Sequence, residues 1–158
     1  VLGLFVALAV TFGAAALGSL FTTPSIAGWY ARLPKPSWTP PNWLFAPVWT
    51  ALYASMAVAA WLVWRKEPGR ARRTALVLFA VQLVLNVAWT GLFFAARLPG
   101  LAFVEICLLW LAILTTIGAF WRVSPICGAI LVPYLAWVSF AAALNLAIWW
   151  MQISLFLL

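Results

Sequence analysis

Twelve tryptophans stand in a chain with no histidine and only two acidic residues, so the side chain with most to offer a ligand here is indole. An indole stacks on flat apolar molecules and donates one N–H. Trp49, Trp89, Trp110 and Trp137 lie deep within long apolar runs. An N–H there has no water to meet, so each ring must face the protein interior or a cavity. Trp49 and Tyr53 are one helical turn apart; Asn86, Trp89 and Phe93 share one stripe, and Trp137, Ala141 and Asn145 another. Taken singly, each stripe reads better as a helix-packing face. Trp61, Trp64, Trp121, Trp149 and Trp150 fall near the ends of the runs, where interfacial aromatic belts belong.

Other chemistry is scarce. Without histidine there is no His-ligated haem iron, zinc site or imidazole proton relay. Cys107 and Cys127 both lie in apolar sequence and make neither a disulfide framework nor a metal site. We expect no metal and no resident cofactor. No nucleophile–base pair and no phosphate loop is present, which excludes a conventional hydrolase or metalloenzyme. Glu105 is the one carboxylate inside an apolar run. Burying its charge costs about 2.5–3.5 kcal/mol on insertion scales, which marks it as a functional candidate. It has three ways out: an ion pair with Arg97, snorkelling to the nearby loop, or protonation. Asn86 and Asn145 are suited to an interhelical hydrogen bond.

Lipid must be the solvent for the elements that carry these residues. The chain is 68% hydrophobic and 7% charged, against about a quarter charged in soluble domains. A span needs about 20 apolar residues, and the sequence supplies five: about residues 1–22, 42–64, 74–96, 101–121 and 125–150. The fold class is therefore an all-α integral membrane protein, a five-transmembrane-helix bundle in a single domain over 1–158. The first run has no basic leader and no clear cleavage site, and we read it as a span. Pro125 suits the first helical position, where its missing N–H costs nothing. Pro47 and Pro133 fall inside the second and fifth spans and can bend them.

Arg65, Lys66, Arg70, Arg72, Arg73 and Arg122 lie in loops on one side; Arg32, Lys35 and Arg97 are the cations of the other. The basic excess thus fits topology rather than nucleic acid, and places the N-terminus and loop 2 in the cytoplasm. Loop 1 is the most informative connection. Pro34, Pro36, Pro40 and Pro41 stiffen it, and Trp29, Tyr30, Trp38 and Trp43 give it large flat faces. Each ring alone fits a belt, but the whole segment suits a lid. By helix direction Trp49, Asn86, Trp89, Arg97, Glu105 and Asn145 fall in the membrane half beneath loop 1, with Trp137 near the midplane. This convergence describes a pocket for a large, flat, mostly apolar ligand better than an ion channel.

Three blocks of sequence carry a resemblance to a known family. They are WYARLPKPSWTPPNWLFAPVWTALY from Trp29 to Tyr53, QLVLNVAWTGLFFAAR from Gln82 to Arg97, and VSPICGAILVPYLAWVSFAAALN from Val123 to Asn145. Together they resemble the translocator protein family (TspO/MBR, the tryptophan-rich sensory proteins and peripheral-type benzodiazepine receptors) over nearly the whole chain. The resemblance implies a five-helix bundle, often a homodimer, that binds tetrapyrroles such as protoporphyrin IX in a pocket capped by loop 1. It implies ligand contacts from Tyr30, Trp38, Ala46, Trp49, Asn86, Trp89, Trp137, Ala141 and Leu144. Trp49 and Trp137 would be the catalytic pair if the porphyrin is broken down under light and oxygen. Arg32, Lys35 and Arg97 are the cations available to the porphyrin propionates. Animal members also bind cholesterol through a pattern near the end of the fifth span with a central Tyr followed by a basic residue. Leu146 stands at that Tyr position and no Lys or Arg follows, which puts cholesterol binding in doubt and leans toward a bacterial member.

Three functions remain open on the sequence: a porphyrin-binding protein acting in transport, sensing or stress regulation; an enzyme-like porphyrin breakdown; and a channel or purely structural protein. For assembly, Gly91 and Ala95 on the third span, and Ala14 and Gly18 on the first, present small residues four apart that let helices approach. A homodimer through one of these faces is expected, the third span being favoured by the resemblance.

Overall fold

The computed structural model describes residues 2–156; Val1, Leu157 and Leu158 lie outside the described residues. Five helices are long and apolar enough to cross a membrane: α1 (Leu2–Tyr30), α2 (Asn42–Trp64), α3 (Arg70–Ala95), α4 (Pro99–Val123) and α5 (Pro125–Leu155). No strand occurs among the described residues. The protein is a multi-pass integral membrane helix bundle. Around the bundle, α1 packs on α2 and α3, α3 on α4, and α4 on α5, while α2 closes the ring against the first turns of α5.

α2 coincides with the apolar run that announces it, whereas α1, α4 and α5 extend past theirs and α3 starts earlier. α1 does not stop near Thr22. Pro24 lies inside it, and the helix continues through Ser25 into a wider π-helical turn, Ile26–Tyr30. A proline is tolerated in a span where local widening and hydroxyl side chains re-satisfy the freed backbone. Ser25 Oγ donates to Phe94 O of α3 (2.8 Å), and Thr22 Oγ1 to Gly18 O (3.0 Å). Trp29 and Tyr30 are therefore helical and loop 1 is shorter than the composition suggests. α3 begins at Arg70 rather than Thr74, because its arginines are good helix formers at a wetted end. It too ends in a π turn, Gly91–Ala95, closed by Ala96 N to Gly91 O (2.8 Å).

Helix α5 is broken where Pro133 predicts. Pro133 has no N–H for the carbonyl four residues back, and the helix is interrupted at Leu131 between segments Pro125–Ile130 and Val132–Phe156. Pro125–Ile130 packs on both α2 and α4, whereas Val132–Phe156 packs on α4. α2 and α5 consequently diverge toward the loop-1 end. In the other half, Met56, Ala57, Ala59, Ala60 and Val63 of α2 are fully or almost fully buried. Their small side chains bring α2 close to its neighbours and leave that half solid.

The two glycines of the small-residue faces meet neighbours within the chain, while Ala95 is exposed. A methyl group added at Gly18 would touch Thr90 of α3 at 3.6 Å, and one at Gly91 would touch Phe21 of α1 at 3.7 Å. Both glycines thus set the α1–α3 approach inside one bundle. Gly91→Ala should fold normally, since its methyl meets Phe21 at ordinary contact distance. Gly91→Leu should push α1 away and destabilise the monomer by about 1–3 kcal/mol. Thermal unfolding in detergent, followed by circular dichroism, checks both; an unchanged melting temperature for Gly91→Leu would show this contact to be slack.

Candidate functional site

The divergence of α2 from α5 opens a cavity of about 420 Å³ in the half of the bundle at the loop-1 end, within the size range of small-molecule sites. Aromatic rings make its walls. Trp49 leans on Tyr53 (centroids 5.5 Å apart) and meets Tyr134 edge-on (6.3 Å). Phe45 meets Trp137 edge-on at 5.8 Å, so rings from α2 and α5 bridge the gap that the backbones leave. Trp89 stacks on Phe93 at 5.6 Å. The π turn of α3 adds a residue to the helical cycle and turns both Phe93 and Phe94 inward: Phe93 is buried and Phe94 lines the cavity.

A buried hydrogen-bond chain forms the floor. Tyr53 OH donates to Asn86 Oδ1 (2.6 Å), Asn86 Nδ2 donates to Tyr134 OH (3.0 Å), and Tyr134 OH donates to Gln82 Oε1 (2.9 Å). It links α2, α3 and α5 at the level where the solid half begins. Asn86 and Asn145 do not bond to each other as the sequence suggested. Asn145 instead accepts from Trp89 Nε1 (3.0 Å) and donates to Pro99 O (2.7 Å), which fixes the Trp89 ring. Trp137 is held differently: its Nε1 is buried with no acceptor.

Of the residues expected at the site, Tyr30, Ala46, Trp49, Asn86, Trp89, Trp137 and Ala141 line this one cavity. Five do not. Trp38 is half exposed, its edge against Phe140 of α5 at 5.7 Å, so it pins loop 1 to α5 from outside. Leu144 is buried in the core beside the cavity. Arg32 is exposed and bonds Gly28 O. Arg97 is exposed and takes a left-handed backbone conformation (φ 57°) that ends α3. Lys35 is already engaged: its Nζ donates to Tyr30 O (2.7 Å), Leu33 O (3.0 Å) and Ala31 O (3.2 Å), and sits 4.9 Å from the Tyr30 ring centre. It caps the negative end of α1, where a cation is favoured. Lys35→Met should therefore release this corner, and hydrogen–deuterium exchange should rise across residues 31–41; unchanged exchange would mean the cap is not what orders the loop.

The roof comes from helix ends rather than from loop-1 rings. Ile26 and Tyr30 of the α1 π turn and Asn42 and Phe45 of α2 close the top. α1 supplies a whole wall, through residues such as Phe12, Ser19, Thr22 and Thr23, that the sequence did not single out. The Gly18–Ser19 pair and the proline before the π turn are its faint traces. Glu105 lies outside the cavity. Both of its carboxylate oxygens are buried without a hydrogen-bond partner, so the pair with Arg97 is not formed. No cluster of metal-ligating side chains occurs among the described residues.

The fold and the cavity define a class: a five-helix membrane protein with an aromatic chamber in one leaflet. Residues 5–151 match the model of the TspO/MBR family. The tryptophan-rich protein TspO of Chlorobaculum tepidum is 46% identical over 135 residues, covering 83% of this chain and 84% of that one. The translocator protein of Homo sapiens is 42% identical, covering 84% of this chain and 80% of its own. Protein CrtK of Rhodobacter capsulatus is 39% identical, covering 86% and 84%. The chain belongs to the TspO/MBR family.

Proposed function

We propose that this protein binds porphyrins of the protoporphyrin IX type, and similar flat apolar molecules, in the cavity beneath loop 1, and that binding serves transport, sensing or stress regulation. The observation that carries the reading is the chamber walled by Trp49, Trp89, Trp137 and Phe45 with the Tyr53–Asn86–Tyr134 chain as its floor. Flat apolar rings gain from stacking and edge contacts with indole, about 0.5–1.5 kcal/mol per pair beyond burial. The solid half around Met56, Ala57 and Ala60 argues against a channel. With Lys35 held by α1, Arg32 and Arg97 are the cations left for propionates at this surface. Cholesterol binding is not proposed, because Leu146 stands where a Tyr is wanted and no Lys or Arg follows it. A bacterial membrane is part of the proposal, and the basic charge of loop 2 supports a cytoplasmic loop 2 and N-terminus. A homodimer is proposed as well, with α3 the favoured face: Ala95 is exposed there, although Gly91 faces Phe21 within the chain.

The second reading, porphyrin breakdown under light and oxygen, is favoured by the oxidisable rings of Tyr53 and Tyr134 beside Trp49. Illuminating the saturated complex separates the two. Bleaching no different from porphyrin in detergent leaves binding alone, while a new absorbing product that vanishes in Trp49→Phe and Trp137→Phe establishes chemistry. If protoporphyrin IX gives no saturable change in absorbance or tryptophan fluorescence, both readings fail.

A further inference from the structure

A second concavity lies at the opposite end of the bundle, outside everything described for the aromatic chamber. It is a groove of about 850 Å³ lined by Trp64, Pro68 and Gly69, by Arg70, Arg72 and Arg73, and by Leu76, Val77 and Ala80. Its two parts have opposite character. Arg70 and Arg73 are exposed, three apart on one helix face, and neither side chain makes a hydrogen bond among the described residues. Arg72 is engaged, its Nη1 donating to Trp64 O (3.0 Å) and Lys66 O (2.9 Å) at the end of α2. Below the arginines, Leu76, Val77 and Ala80 continue the same side of α3 for about 10 Å of helix rise into the hydrocarbon. Trp64, 52% exposed, stands at the boundary.

This placement of charge is unfavourable for the protein alone. The first turn of α3 contains no acid, and cations there face both each other and the positive end of the helix. Glu67, the one acid of the loop, does not line the groove. An anion between Arg70 and Arg73 relieves both repulsions, and an apolar tail attached to it covers Leu76, Val77 and Ala80. We propose that the groove is a discrete binding site for one anionic phospholipid, its phosphate between Arg70 and Arg73 and an acyl chain along Val77 and Ala80. The site is independent of what the aromatic chamber binds.

Native mass spectrometry of the detergent-solubilised chain, equilibrated with equal phosphatidylglycerol and phosphatidylcholine, tests this. One phosphatidylglycerol per chain should be retained in preference. Arg70→Gln with Arg73→Gln should weaken its retention about thirtyfold, whereas the charge-matched Arg65→Gln with Lys66→Gln should change it less than about threefold. Arg70→Lys with Arg73→Lys, which keeps the charge, should restore most of the loss, and equal helicity by circular dichroism shows that the variants are folded. Equal retention of the two lipids overturns the site. So does an equal loss in both glutamine pairs, which would mean diffuse attraction to a basic loop. Displacement of the lipid by millimolar inorganic phosphate overturns the acyl-chain contact and leaves a plain anion site.

Discussion

Alanine at both Trp49 and Trp137 is expected to weaken protoporphyrin IX binding about a hundredfold, each indole contributing roughly tenfold through ring contacts and the apolar area it covers. The two rings reach the cavity from α2 and α5, the helices whose divergence creates it, and each is backed by a second ring, Tyr53 behind Trp49 and Phe45 beside Trp137. Trp89 should tolerate less, since its N–H is bonded to Asn145 and its loss would also disturb α3–α5 packing. Trp150→Ala is the control: that ring is 68% exposed on the lipid-facing surface, and its removal should leave binding within about twofold if the ligand sits inside. Fluorescence and absorbance titrations of the variants in one detergent give the comparison. A Trp150→Ala loss as large as that of the double variant would move the ligand to the outer surface.

Asn86→Ala should destabilise the bundle, lowering the midpoint of thermal unfolding by about 2–12 °C. Asn86 joins Tyr53 to Tyr134, and its removal strands a buried phenol at a cost of about 1–3 kcal/mol, with each kcal/mol worth about 2–4 °C in a chain of this size. Tyr53→Phe breaks one of the same bonds and should cost about half as much. An Asn86→Ala midpoint equal to wild type would show that the chain of hydrogen bonds does not hold α2, α3 and α5 together.

The rings Trp49, Trp89 and Trp137 were legible from the sequence because depth leaves a buried indole few places to point, and helix direction put Trp49 and Trp89 in the half beneath loop 1 with Trp137 near the midplane. Pro133 likewise announced the break that lets α2 and α5 part. What stayed hidden depended on three-dimensional partners. The π turns at Ile26–Tyr30 and Gly91–Ala95 have no pattern of their own in the sequence, yet they close the roof and turn Phe94 inward. The wall from α1 was missed because that helix is apolar all round and shows no face; only its contacts with α2 and α3 pick one. Loop 1 looked like a lid because its prolines and tryptophans are dense, but Trp38 clamps α5 and Lys35 caps α1. A pair with Arg97 was one of three ways out that the sequence left to Glu105, and the left-handed turn at Arg97 ends α3 and leaves its guanidinium exposed.

Locating bound protoporphyrin IX in a crystal or cryo-electron structure of the complex is the measurement that bears most directly on the central claim. The account predicts density for the macrocycle in the loop-1 half of the bundle, enclosed by α1, α2, α3 and α5 and in contact with Trp49 and Trp137, with its propionates toward Arg32 or Arg97. Density at the loop-2 end, or against the lipid-facing surface with the chamber empty, would contradict it.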